Sequence, residues 1–294
     1  MNGEMQGYRH YRPAFLETTG MNASTASGSA SRMQTAPPQR YRGSACNVHS
    51  LPMQARGNVL NPAQRRLVHD AFRAHPVLHG LSENVLEAFC ENGRLSSHAN
   101  GKVIYVEDAP CHDIQVILSG AVEMSLTGLN GAHVVSTIML PGEVINVTSV
   151  VDGARSVHDQ RAHGFTRLFH VPMQVLYTQF ERDGRLLLAM LELICARSRS
   201  LHRRFGKTAL LGFRERLVDQ LLNLAERCGE PDNTDGREGV ALGIGISQES
   251  LAALLGVSRQ RVNKELGWLG EQGIVQSRYR RLKILDLEAL RGLR

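Results

Sequence analysis

ISQESLAALLGVSRQRVNKELGWLGEQGIV, residues 246–275, is the stretch whose reading decides the fold. Ser247 stands where its hydroxyl can cap a helix running to Gly256, and Ser258 where it can cap a second helix. Ala252, Gly256 and Val262 then fall at the offsets of a helix-turn-helix. A small residue sits where the helices cross, glycine turns the chain, and an apolar residue packs the second helix back. At about 100° per residue from Arg259, Val262, Leu266 and Leu269 share an arc roughly 60° wide. Arg259, Gln260, Asn263 and Lys264 occupy another arc. The second helix is therefore expected to have a packed rear and a polar, cationic front suited to a major groove. Ser258, Arg259, Gln260, Asn263 and Lys264 are its candidate DNA contacts. Just downstream, Ile274-Val275 and Ile284-Leu285 flank the basic run RYRRLK (278–283), which reads as a two-stranded wing. Its Arg278, Arg280, Arg281 and Lys283 suit phosphate contacts, which position a protein without specifying sequence. Asp286 can cap a last short helix.

Charge supports a polyanion-binding end. Residues 244–294 carry nine basic and five acidic side chains, whereas residues 61–202 carry 12 basic and 14 acidic. The chain has 294 residues, of which 42% are hydrophobic and 21% charged, enough for about two domains with real cores. No apolar run approaches the roughly 18 residues of a membrane span. No compact apolar segment opens the chain, so a cytoplasmic protein is expected. The five cysteines, Cys46, Cys90, Cys111, Cys195 and Cys228, never form C-x-x-C. That spacing argues against a disulfide scaffold, a structural zinc site and an iron–sulfur cluster.

Working toward the N-terminus, LLGFRERLVDQLLNLAER reads as a helix ending near Gly229, and CGEPDNTDGREG (228–239) as a polar, turn-rich loop. Before them, residues 185–206 read as one long helix. Leu187, Leu191, Ile194, Leu201 and Phe205 recur along it as an a/d-like seam, interrupted by Ser198, that can mate with an identical helix. Leu186, Leu188, Met190 and Leu193 widen the apolar surface, so packing on the chain's own core is expected as well. MQVLYTQFER after Pro172 is a shorter helix.

Between Leu81 and Val171 the pattern changes. A short helix, ENVLEAFCENG (83–93), carries Val85, Leu86, Phe89 and Cys90. Glycines then fall at 120, 131, 142, 153 and 164, with the β-branched segments KVIYV, IQVILSG, AVEMSL, HVVSTIML and TRLFHV around them. Strands at such spacing read as an antiparallel roll, and Asn130-Gly131 is the strongest hairpin signal. A helix over 61–76 with Leu67, Ala71 and Phe72 on one face marks where order begins. Residues 1–60 are expected to be a disordered basic extension, because Ser, Ala, Thr and Pro dominate MNASTASGSASRMQTAPPQR. The expected class is α+β. The expected domains are a sensing roll with flanking helices (61–184), a dimerisation helix and hinge (185–212) and a winged helix-turn-helix (213–294).

Roll, long helix and winged helix-turn-helix in this order resemble the Crp/Fnr family of bacterial transcription regulators. The resemblance covers about residues 75–294 and is strongest in VSRQRVNKELGWLGEQGIV and VILSGAVEMSL…PGEVINVTSVVDGARS. It implies a homodimer on a two-fold-related DNA site, with Arg259, Gln260 and Lys264 at the base-reading positions and RNA polymerase as a candidate partner. Gln260 stands where close relatives of the cyclic AMP receptor protein carry glutamate, so adenine rather than cytosine is the favoured base there.

For the effector, the resemblance implies a Gly-Glu pair after the Pro-Gly turn, with the glutamate on a ribose hydroxyl and a later Arg-Ser on the cyclic phosphate. Pro141-Gly142 is the turn, and Glu143 belongs to it. The expected Gly-Glu is Asn146-Val147, Arg155-Ser156 are kept, and Leu201-His202 replace the Thr-Ser pair that reads adenine. Valine cannot accept a hydroxyl proton. Cyclic AMP is therefore not the expected effector, while Arg155, Ser156 and His202 remain candidate effector contacts and Arg155 can equally be a surface charge. His158, His163, His170 and His202 show no metal or haem spacing, and Cys111 or Cys195 is a redox thiol or an ordinary one. A cyclic-AMP-responsive regulator with an atypical pocket, a cupin-type metalloenzyme and a DNA-free adaptor are the alternatives. The cupin reading lacks any His-x-His pair, the adaptor reading leaves the cationic arc unexplained, and no nucleophile–base constellation suggests an enzyme.

Overall fold

The computed structural model describes residues 59–128, 131, 133–234, 236–278 and 281–294. The expected basic extension lies outside these residues up to position 58, as do Asn130 of the hairpin turn and Arg280 of the wing.

Helices α1 (Pro62–Ala74) and α2 (Glu83–Asn92) come first. Asn61 and Gln64 close a reciprocal capping box at the start of α1, each bond 2.9 Å long. The buried face of α1 is Val68 and Phe72, with Leu67 half-buried, one residue round from the expected face. Val85, Leu86, Phe89 and Cys90 of α2 are buried as expected.

An antiparallel roll follows: β1 (Arg94–His98), β2 (Val103–Tyr105), β3 (Asp113–Thr127), β4 (His133–Met139), β5 (Val144–Ile145) and β6 (Asp159–Pro172). The sheet order is β1-β6-β3-β4, with β2 on β6 and β5 on β3. A short helix, α3 (Val147–Val151), interrupts the last crossing. All five glycines of the 11-residue series have positive φ, but Gly153 follows α3 rather than a strand, and two others are not in turns. Gly120 and Gly164 lie inside β3 and β6, where they bend long continuous strands. At Gly120 (φ 75°) a Cβ would stand 2.4 Å from the Phe165 carbonyl oxygen, so only glycine fits. The β3–β6 register breaks on both sides of Ser119, where the strands bend.

After α4 (Met173–Phe180), Asp183 caps the long α5 (Gly184–Leu210) by accepting from Arg185 N at 2.9 Å. Leu186, Ala189, Met190 and Leu193 of α5 are buried against the core of α1, α2 and the roll. Its other side leaves Leu187, Leu191, Leu201 and Phe205 exposed. No helix among the described residues is long and apolar enough to cross a membrane.

The C-terminal module holds α6 (Phe213–Cys228), β7 (Gly229–Asp232), β8 (Gly239–Leu242), α7 (Gln248–Leu255), α8 (Arg259–Glu271), β9 (Val275–Arg278), β10 (Arg281–Ile284) and α9 (Leu287–Gly292). Two expectations need correction here. The polar segment 228–239 is a hairpin rather than a loop, and it extends the wing to four strands in the order β7-β8-β10-β9. Pro231 is tolerated because β7 is an edge strand, where a missing N–H is harmless. Lys283 is not a phosphate contact. Strand β8 covers it, leaving it 4% exposed, with its ammonium donating to the Arg237 carbonyl and 3.7 Å from Asp232. The α6–α9 core also takes in Ala121, Val135, Ile138 and Leu140, so the β3–β4 hairpin packs on this module.

Candidate nucleic-acid interface and effector site

The Ser247 hydroxyl accepts from Ser250 N at 3.0 Å and the Ser258 hydroxyl from Arg261 N at 3.3 Å, so both serines cap the helices that follow them. Gly256 turns the chain at φ 63°, a left-handed conformation that costs glycine little. Ala252 is buried where α7 meets α8, and Val262, Leu266 and Leu269 form the buried rear of α8. Arg259, Gln260, Asn263 and Lys264 are exposed on its front. Among the described residues the side chains of Arg259, Gln260 and Lys264 have no partner. Asn263 accepts from Gln248 at 3.1 Å and so ties the front of α8 to α7. Exposed Arg278 and Arg281 face each other across the wing.

Sequence periodicity gave no role to Arg214 or Arg261. Arg214 lies over the Trp268 ring, 3.9 Å from its centroid, and pairs with Glu265; Arg261 lies over the Phe213 ring at 4.5 Å. With Lys264 they line an open groove of about 790 Å³ between the start of α6 and the flank of α8. Stacking on rings fixes guanidiniums that would otherwise sample many rotamers. Each ring belongs to the other helix, far away in sequence, so no local pattern signals either stack.

The candidate effector residues do not all converge. Arg155 Nε pairs with Asp108 Oδ1 at 2.9 Å, and its side chain is more than half exposed. Ser156 is buried, and its hydroxyl donates to the His158 carbonyl at 2.8 Å. His202 is exposed and bonds to Ser198 O of its own helix at 2.8 Å, with no hydrogen bond to Arg155 or Ser156 among the described residues. Asn146 takes a left-handed conformation at φ 65° before α3, and Val147 is fully buried. Ile117, Val122, Met124, Ile145 and Leu168 form an apolar cluster within the roll. From α5 it is Arg197, not His202, that reaches the roll, donating to the Val144 carbonyl.

A second polar cluster spans β1, β3 and β6. Asp113 accepts from Arg94 at 3.0 Å, from Gln115 at 3.2 Å, and lies 3.0 Å from His170 Nδ1. His170 Nε2 is 2.7 Å from the Ser96 hydroxyl. Burial alone would raise the Asp113 pKa, but the hydrogen bond and charge of His170, with Arg94, outweigh it and hold the carboxyl below its usual range. The thiols go the other way. Burial raises Cys111 and pushes Cys90 up to about 11, so neither is a thiolate at neutral pH. Among the described residues no group of three or more His, Cys, Asp or Glu side chains is arranged to hold a metal.

Two family models match the chain in the order the fold shows. A cyclic nucleotide-binding domain covers residues 96–183 and a Crp-like helix-turn-helix domain residues 215–293. The global nitrogen regulator of Synechococcus elongatus is 24% identical over 199 residues, 67% of this chain and 88% of that protein. The CRP-like cAMP-activated global transcriptional regulator of Mycobacterium tuberculosis is 23% identical over 216 residues, 73% of this chain and 94% of the other. In fold, FixK2 from Bradyrhizobium japonicum superposes with a TM-score of 0.61 at 20% identity, over 68% of this chain and 96% of that one. The roll and the helix-turn-helix are matched by family models and the whole arrangement by solved folds, and the chain belongs to the Crp/Fnr family of transcription regulators.

Proposed function

We propose that the chain works in the cytoplasm as a homodimer on a two-fold-related duplex site, with α8 in the major groove, and that its effector is not cyclic AMP. The observation that carries the DNA reading is the front of α8. Arg259, Gln260 and Lys264 are exposed and without partners among the described residues, over a rear of three buried aliphatic side chains. Charged and amide groups so displayed match base edges, with arginine suited to guanine and glutamine to adenine. Arg278 and Arg281 supply phosphate contacts that hold the helix in register. The exposed seam of α5 supports the dimer, and a contact with RNA polymerase belongs to the same reading.

Selection from random duplexes at fixed salt, followed by anisotropy on the winner and a scrambled duplex, tests this. The expected result is an inverted repeat whose half-sites are centred about one helical turn apart. Equal affinity for both duplexes would refute it. The second reading, a cyclic-AMP-responsive regulator with an atypical pocket, draws on the cyclic nucleotide-binding match. Against it stand the buried Val147 in place of a ribose-binding carboxylate and the engagement of Arg155 with Asp108. No catalytic activity is proposed.

A further inference from the structure

Helix α5 turns one stripe of side chains toward the roll, and that stripe changes character along its length. Leu186, Met190 and Leu193 fill it first and are buried. Residues seven apart on a helix lie almost above one another. Seven residues after Met190 comes Arg197, and seven after that Arg204. Arg197 is half-buried and donates to the Val144 carbonyl, yet among the described residues no carboxylate pairs with it. The adjacent carboxylate, Glu143, is engaged elsewhere. It accepts from Leu140 N at 2.6 Å and from Arg227 of α6 at 2.7 Å, and Arg227 also donates to the Ile138 carbonyl at 3.2 Å.

Arg204 has no ion pair or hydrogen bond among the described residues. It stands close enough to Arg227 for the two charges to repel, and burial and that repulsion both lower its pKa. Burial also lowers the Arg197 pKa, and Glu143 opposes it. His158 feels the charge of Glu107 in one sense and those of Arg204 and Arg197 in the other. Burial and the two arginines hold its pKa below the usual value, so it is neutral at pH 7. Arg227 pairs with Glu143, exposed Arg204 follows Arg197 on its stripe, and Arg197 itself is half withdrawn from water beside Val144. Uncompensated charge in such a place is costly, and guanidinium forks fit phosphate and carboxylate oxygens two at a time.

We infer that Arg197, Arg204 and Arg227 form a binding site for a small dianion where the Pro141–Gly142–Glu143 turn meets α5 and α6. All three cations lie outside the residues matched by the cyclic nucleotide-binding model. The inference deepens the proposed sensing of an effector other than cyclic AMP and rests on that reading for its biological meaning. Arg227 belongs to the last turn of α6, so a dianion there competes with Glu143 for it and loosens the roll from the DNA-binding module.

The test is calorimetric titration of the full chain, without DNA, at fixed ionic strength. Inorganic pyrophosphate and succinate are the probes, and sodium chloride is the control. One saturable site per chain is expected for at least one probe; preference for pyrophosphate marks a phosphoryl effector, and preference for succinate a dicarboxylate. Arg204→Gln and Arg227→Gln should each weaken it about tenfold or more, while Arg66→Gln, at an exposed position of α1, leaves it within about twofold. Both altered side chains are at least partly exposed, and thermal melts confirm that the variants fold. Absence of saturable binding by either probe, or binding that survives both Arg204→Gln and Arg227→Gln, overturns the site. Because no DNA is present, a failure here is separate from any failure of the DNA reading.

Discussion

Arg278 and Arg281 are direct Cα partners across the β9–β10 pair, both with exposed side chains. Like charges placed opposite each other in a sheet repel, so this arrangement serves something other than stability. A phosphate drawn between the two guanidiniums removes the repulsion. Arg281→Ala is therefore expected to leave the fold as stable as before, or a few tenths of a kcal/mol more stable. It should weaken binding to all duplexes alike and reduce the slope of log affinity against log salt by about 2, one phosphate contact from each wing of the dimer. Anisotropy on two unrelated duplexes at several salt concentrations measures both effects, and a change confined to one sequence would contradict the assignment.

The dimer prediction depends on which side of α5 each residue takes. Leu191 and Leu201 are 55% and 62% exposed, whereas Ile194 is half-buried against the core of α1, α2 and the roll. Glutamate at Ile194 would damage that core and confuse the result. Leu191→Glu combined with Leu201→Glu leaves it intact. Sedimentation should then show a folded monomer, with affinity for the inverted repeat reduced by more than about tenfold, because a monomer engages only one half-site at a time. A folded dimer in that variant would place the interface elsewhere.

What could be read ahead of the structure follows from the range of the forces involved. Helix caps are local, so Ser247, Ser258, Asp183 and Asp286 act within three residues of their own positions. The rear and front of α8 follow from helical period alone. Strand pairings are long-range. Nothing near Lys283 in sequence shows that β8 and Asp232 will cover it, and Arg281 beside it does stay exposed. The β7–β8 hairpin was hidden by Pro231 and by a composition typical of loops. The glycine spacing was legible as backbone geometry but not as topology. Positive φ at Gly120 and Gly164 serves bends within β3 and β6, and only the pairing of those two strands reveals it. Arg197 and Arg204 sit on the same stripe as Met190, a cationic continuation masked by the stronger apolar seam of the same helix.

The Asp113 cluster gives a stability prediction with a defined sign. The Asp113 carboxyl is held below its ordinary range in the folded chain, so its contribution is complete above about pH 4. It is lost as pH falls through the lowered folded value. Asp113→Asn leaves His170 and Arg94 facing an amide and is expected to cost about 3 kcal/mol at pH 7, as removal of one partner from a buried pair does. The gap between the two proteins should narrow below pH 4. Urea denaturation at pH 7 and at pH 3 reads both; a cost under about 1 kcal/mol at pH 7 would show that the cluster does not hold the three strands together.

Base reading is the sharpest consequence of the α8 geometry. Arg259 is the first residue of α8, exposed and without a partner among the described residues, one position after the capping Ser258. Side chains at the start of such a helix point at base edges when the helix lies in the groove, and a guanidinium can bond both O6 and N7 of guanine. Arg259→Ala should cost about 1–3 kcal/mol for each bidentate arginine–guanine pair it removes and relax the preference for one guanine in each half-site. Gln260→Glu should instead shift the neighbouring preference from adenine toward cytosine, because a carboxylate accepts from the cytosine amino group but cannot donate to adenine N7. Neither change touches the buried rear at Val262, Leu266 and Leu269, so both variants should melt with the parent protein. Repeating the random-duplex selection with each variant separates the two positions. If Arg259→Ala returns the same consensus with undiminished preference at every position, α8 does not read the sequence.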